Sequence, residues 1–171
     1  NTEYYIFYLV DLVFGRNHID NALSHIYIGN IYSALNEDIL KENNIKVIIN
    51  CTTDIPFTDF KQIKYKYRFK IDDDLSRKHK DNMRHNIDKY VEYLRRHTLN
   101  GENVLVHCRA GVQRSASIVI GYLMKYKHMY LTEAIDYLQD IRNCVFRPMP
   151  HFLMPLKSYE RTLRKDYLSI K

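Results

Sequence analysis

Along this chain, stretches with apolar residues at helical spacing alternate with short apolar runs. Residues 3–14 carry Tyr5, Ile6, Leu9, Leu12 and Val13 on one face and predict an amphipathic helix. Ile26-Tyr27-Ile28 predicts a short strand, stopped by Gly29-Asn30. Ser33 to Asn43 has helical spacing, with Asn43-Asn44 as its stop. Ile45 to Asn50 is a β-branched run, the mark of a buried strand. Tyr65 to Ile71 alternates, placing Tyr65, Tyr67, Phe69 and Ile71 on one face of another strand. Ile87, Val91 and Leu94 mark a helix over residues 81–96, closed by Asn100-Gly101. Asn103 to His107 is a short apolar strand. Ser115 to Lys127 is apolar nearly all round, as a central buried helix would be. Thr132 with Glu133 opens a helix reaching Arg142, and residues 152–165 form the last one. Strands alternating with helices predict a single α/β domain with a partly parallel sheet.

Composition narrows the classes without choosing among them. A chain of 171 residues suits one domain with a real core, and 5 Gly and 4 Pro leave little material for flexible linkers. The net charge of +6 fits an anionic partner or simply a basic surface. Its Lys and Arg are scattered, so nucleic acid is not favoured. Cys51, Cys108 and Cys144 form neither a metal-ligand spacing nor an even framework, which favours a reducing, intracellular compartment. Residues 4–14 are too few to span a bilayer, contain Asp11, and lack the basic start of a signal peptide. The wealth of Ile, Asn, Lys and Tyr points to an AT-rich genome, such as that of a large DNA virus or a protozoan.

The chemistry concentrates in residues 103–127. A buried strand ends at His107, a tight loop containing Gly111 follows, and a helix begins near Arg114. Ligands of open α/β sheets sit at the carboxyl ends of strands. Unpaired N–H groups at a helix start bind phosphate. Residues Arg109, Ala110, Gly111, Val112, Gln113 and Arg114 therefore form a candidate phosphate cradle. Cys108 stands at its first position, where amides and the helix dipole lower a thiol's pKa and make it a nucleophile. Arg114, six residues on, can grip two phosphoryl oxygens with its planar fork. Ser115 can donate a hydrogen bond to the sulfur as it leaves, and His107 can orient the loop.

The string His107-Cys108-x-x-Gly111-x-x-Arg114-Ser115 resembles the signature of the protein tyrosine phosphatase superfamily, and within it the small dual-specificity phosphatases. Ile26 to Asn30 with Ala34, Ile48-Ile49-Asn50, and Tyr122-Leu123-Met124 resemble the family's other elements. So do Pro148, Phe152, Leu156, Tyr159 and Glu160, although Met149 and Pro155 replace the usual Asn and Gln. The resemblance implies a mixed, mostly parallel sheet of about five strands flanked by helices. It implies metal-free hydrolysis of phosphotyrosine and phosphoserine/threonine in proteins through a phosphocysteine, with no cofactor. Hydrolysis of RNA 5′-triphosphate or phosphoinositide, and phosphoprotein binding without turnover, stand as alternatives. The uncharged Val112 and Gln113 and the Ser115-Ala116 pair speak against the first two, and intact Cys108 and Arg114 against the last.

The family takes its general acid from an Asp on a loop preceding the cysteine by about thirty residues, because a poor alkoxide cannot depart unprotonated. Asp72, Asp73 and Asp74 stand together here, and the family's pattern through Phe69 and Ile71 selects Asp73, 35 residues before Cys108. Asp72 is second and Asp81 third. Residues 1–20 are expected to form an N-terminal helix ahead of a catalytic domain over 21–171. That helix either packs on its own domain or dimerises the chain by exchange, as in poxvirus-type relatives. Cys51, after a strand, is core or a second thiol able to protect Cys108 as a disulfide. Arg142 and Arg147 read as solvated helix-end charges or as cleft residues. His79, His85 and His97 read as solvated positions on a polar helix.

Overall fold

The structure, a computed structural model, describes residues 17–169. The expected helix over residues 3–14 and its apolar face lie outside the described residues.

Five strands form one sheet: β1 (Ile19–Leu23), β2 (Ile26–Gly29), β3 (Ile45–Asn50), β4 (Tyr65–Arg68) and β5 (Asn103–His107), in the order β1-β2-β5-β3-β4. β1 runs antiparallel to β2, and the other neighbours are parallel. The sheet is therefore mixed and mostly parallel, and its central strands β3 and β5 are the apolar runs that the sequence marks most clearly. Alternation divides their side chains between two cores, with a register irregularity between Ile45 and Val47 turning Ile45 to the face opposite Val47. Val47, Ile49, Val104 and Val106 face the larger one, under α3 (Arg77–Leu99), α4 (Arg114–Tyr126), α5 (Leu131–Ile141) and α6 (Leu153–Ser169). Ile45, Ile48 and Leu105 face a smaller one with Ala34 and Leu40, carried by α1 (Ile31–Leu35) and α2 (Glu37–Glu42). Among the described residues no helix is long and apolar enough to cross a membrane.

The departures from the expected elements have local causes. Ser33 to Asn43 is two helices, because the Asn36 side chain accepts from Ile39 N and caps a new start. β4 ends at Arg68 rather than Ile71: Phe69 N still reaches Asn50 O, and the chain then leaves the sheet to form the segment before α3. α3 begins four residues earlier than residue 81, with Ser76 Oγ accepting from His79 N, since a polar first turn shows no apolar periodicity. α5 starts at Leu131, one residue before Thr132, and the Glu133 carboxylate reaches back to Tyr130 N at 2.7 Å. β1 was not visible in the pattern, because Asp20 and Asn21 interrupt it, and it begins inside the segment assigned to the N-terminal helix.

Candidate active site

β5 delivers His107 and Cys108 to the carboxyl edge of the sheet, and α4 starts at Arg114. The six residues between these elements form a loop whose carbonyls are engaged one by one from outside. Cys108 O contacts His107 Nδ1 at 3.3 Å. Arg109 O accepts from Ile31 N, and Val112 O from Phe146 N. Ala110 O and Gly111 O accept from Arg142, at 3.3 and 2.9 Å. Gln113 O accepts from Ser117 N and Oγ. In a trans peptide the N–H points opposite to the C=O. Carbonyls held outward thus leave the N–H groups of residues 109–114 facing the interior of the loop, at the positive end of α4. Gly111 makes the turn with φ +68°, and a Cβ there would lie 2.6 Å from Gly29 O.

Cys108 sits at the floor of this bowl, 2% exposed. Gly111 N donates to its Sγ at 3.2 Å, and Ser115 Oγ lies 3.3 Å away. Burial by itself would push the thiol up. The Arg114 guanidinium, the Ser115 hydroxyl and the Ser115 and Gly111 amides outweigh it and bring the thiol below its ordinary value. Cys51 shows the contrast. It is fully buried behind β3, and burial and the neighbouring Cys108 push its thiol well up. The two neighbouring thiols are thus shifted in opposite directions. Among the described residues no disulfide forms. His107 is held neutral, pushed down to about 4 chiefly by burial, so Nδ1–H can donate to the loop.

Arg114 reaches across the bowl to the strand-β4 side. Its Nη1 donates to Ile71 O at 3.2 Å and lies 3.9 Å from Asp72 Oδ1. Its Nε is buried without a hydrogen-bond partner. A buried guanidinium N–H demands an acceptor, and an oxyanion in the bowl would supply one. The cleft above is lined by Thr53, Asp54, Asp72, Asp73, Asp74, Arg109 and Arg114. On a chain of net charge +6 this mouth carries four carboxylates against two guanidinia, so the basic balance lies elsewhere on the surface. Arg109 turns its side chain away from the bowl, onto Asp54.

The three clustered aspartates have different surroundings. Asp72 accepts from Thr53 Oγ1 at 2.9 Å and is 45% exposed. Asp74 accepts from Ser76 N, which with the Ser76 hydroxyl pulls its carboxyl below the usual range. Asp73 is 22% exposed and lies 2.5 Å from His151 Nδ1. Burial pushes its carboxyl up, against the opposing effects of His151 and Arg114. A carboxyl whose pKa is raised by burial beside an anion site is suited to proton donation. Asp81 sits on α3 paired with Arg77 and Arg84, outside the cleft lining. Among the described residues no group of three or more His, Cys, Asp or Glu is placed to hold a metal ion.

Several residues differ from their sequence reading. Arg142 is not a solvated helix-end charge. It is 2% exposed, bonds two loop carbonyls and Asn17 O, and pairs with Asp20 at 2.5 Å. Nothing in the sequence pairs residue 142 with a loop 31 residues earlier. Arg147 is exposed, as read. His79 and His97 are buried rather than solvated: His79 Nδ1 accepts from Asp72 N, and His97 lies between Tyr67 and Glu102. His151 and Gln113 carry contacts that the sequence reading missed, because both depend on the path of the segment before α6.

A family profile described as "Dual specificity phosphatase, catalytic domain" matches residues 26–162. The chain is 33% identical over 146 residues to mouse dual specificity protein phosphatase 8, covering 85% of this chain and 21% of that protein. It is 33% identical over 139 residues to the Drosophila melanogaster protein phosphatase Slingshot, covering 81% and 13% respectively. The chain thus spans about a fifth or less of these curated relatives. The crystal structure of human DUSP28 superposes with a TM-score of 0.77 at 20% identity, covering 86% of this chain and 96% of that one.

Proposed function

This chain belongs to the dual specificity phosphatase catalytic-domain family, and we propose that it hydrolyses phosphotyrosine and phosphoserine/threonine in proteins through a phosphocysteine intermediate. The observation that carries this reading is the Cys108 thiol, held below its ordinary pKa beneath inward-facing amides and the unpartnered Arg114 Nε. In the first step the Cys108 thiolate attacks phosphorus. The loop amides and Arg114 hold the three non-bridging oxygens as charge shifts onto them. The bond from phosphorus to the substrate oxygen breaks, and Asp73 gives that oxygen its proton. In the second step water passes a proton to the Asp73 carboxylate and attacks phosphorus. The P–S bond breaks, and the Ser115 hydroxyl stabilises the departing thiolate.

The acidic mouth favours single phosphates on polypeptides over polyanions, because Asp54, Asp72 and Asp74 repel additional negative charge. Phosphoinositides and RNA 5′-triphosphates are therefore the poorer substrates. The test is a panel of phosphopeptides, phosphoinositides and RNA 5′-triphosphate, run beside the Cys108→Ser protein. The expected result is turnover of phosphopeptides by the wild type and none by the variant, which still binds tungstate. Turnover by Cys108→Ser near the wild-type rate refutes the mechanism. Faster release of phosphate from the lipid or RNA substrates refutes the substrate reading alone.

A further inference from the structure

We infer that His151 is a positioning residue for the general acid: its ring holds the Asp73 carboxyl toward the cleft and couples it, through Gln113, to the phosphate loop. The inference rests on the proposed role of Asp73. Neither the phosphatase signature nor the acid pattern in the sequence includes residue 151.

Three contacts carry it. His151 Nδ1 lies 2.5 Å from Asp73 Oδ1, and both side chains are about three-quarters buried. His151 N donates to Gln113 Oε1 at 3.0 Å. Gln113 Nε2 donates to Met149 O at 2.8 Å. Gln113 is itself part of the phosphate loop and 3% exposed, so its amide fastens the segment 149–151 to the bowl by both of its polar atoms. Phe152, 2% exposed, anchors the next residue in the larger core. The imidazole therefore projects from a segment that moves with the loop holding Cys108. Asp73 projects from the segment after β4, which shares no strand pairing with that loop. The His151–Asp73 contact sets the distance between acid and nucleophile across the cleft. Asp72 and Asp74 are held otherwise, by Thr53 and by Ser76.

The contact has a chemical consequence besides position. The His151 hydrogen bond and charge pull the Asp73 carboxyl down, against burial. The other charged groups facing Asp73 are Arg114 from α4 and Asp74 from its own segment, with Asp72, Asp54 and Arg109 lining the same cleft and His79 of α3 behind Asp72. Burial pushes the Asp73 carboxyl up, while His151 opposes that shift. Removing the imidazole raises the pKa of Asp73, and the basic limb of the pH–rate profile, which reports loss of the acid's proton, moves to higher pH.

The test compares His151→Phe, His151→Asn and Asp73→Ala with wild type on an aryl and an alkyl phosphate across pH. General acids supply about 10²–10⁴-fold in rate, and mispositioning forfeits part of that, so His151→Phe is expected to lose about tenfold on the alkyl phosphate and much less on the aryl one. Its basic limb shifts upward. His151→Asn keeps a hydrogen-bonding group near the Nδ1 position without the titratable ring. It recovers most of the alkyl rate and retains part of the pH displacement, and it serves as the readout if the Phe variant fails to fold. Equal losses on both substrates with an unmoved basic limb, or wild-type behaviour throughout, overturn the inference. If Asp73→Ala itself shows no leaving-group dependence, the acid assignment falls and the inference with it. If Asp73→Ala shows that dependence and the His151 variants do not, only the inference falls.

Discussion

Arg142→Ala removes the side chain that holds the back of the phosphate loop. In the folded protein the guanidinium makes four hydrogen bonds, to Gly111 O, Ala110 O, Asn17 O and the Asp20 carboxylate. Arg142 is 2% exposed and the Asp20 side chain 11%, so water cannot simply replace what is lost. Deleting one partner of a buried pair costs about 3–5 kcal/mol, mostly as the penalty of an unpaired carboxylate and orphaned carbonyls. For a domain of this size that corresponds to a fall in Tm of roughly 6–20 °C. The functional loss has a separate origin. With Ala110 O and Gly111 O released, their peptide planes are free to rotate, and the N–H groups of Gly111 and Val112 leave the bowl. Tungstate affinity of Cys108→Ser/Arg142→Ala should then drop well below that of Cys108→Ser at a temperature where both are folded. Differential scanning calorimetry and anion titration measure the two effects independently. Arg142→Ala/Asp20→Ala should recover part of the stability, since the stranded charge is gone, and none of the tungstate affinity. A stability loss under about 1 kcal/mol, with unchanged tungstate affinity, would refute the account of how this loop is held.

Other perturbations probe the site at single points. Asp73→Ala should slow an alkyl phosphate about 10²-fold or more and an aryl phosphate less, because phenolate leaves unaided. Asp72→Ala should lose less on both, and the reverse order in kcat would move the acid to Asp72. Gly111→Ala meets a positive φ and Gly29 O at 2.6 Å, and should cost about 2–4 kcal/mol by chemical denaturation. His107 is buried and pushed down to about 4, below its unfolded value near 6.5, so the unfolded chain takes up a proton between those limits and the folded one does not. Stability should thus fall as pH drops from 6.5 toward 4, by up to about 3 kcal/mol, and His107→Gln should flatten that slope.

The sequence by itself determined the parts whose signal is local. β3 and β5 have apolar, β-branched-rich centres and fall where their residues predict, 45–50 and 103–107, because a strand covered on both faces reads as a nearly continuous apolar run. Cys108, Gly111, Arg114 and Ser115 are legible because strand, tight turn and helix start are contiguous, so their spacing marks the anion cradle along the chain. Phe69 and Ile71 share an inward face as alternation requires, even though the strand ends before them. Only the tertiary structure decided what bridges distant segments. Asp72, Asp73 and Asp74 are chemically equal along the chain and become unequal through Thr53, His151 and Ser76. Arg142 and His79 look like surface charges until the fold buries them against the loop carbonyls and the acid segment. Side-chain pKa and orientation depend on which residues arrive from elsewhere in the chain. A one-dimensional pattern records burial period, and contact between residues 73 and 151 has no period to record.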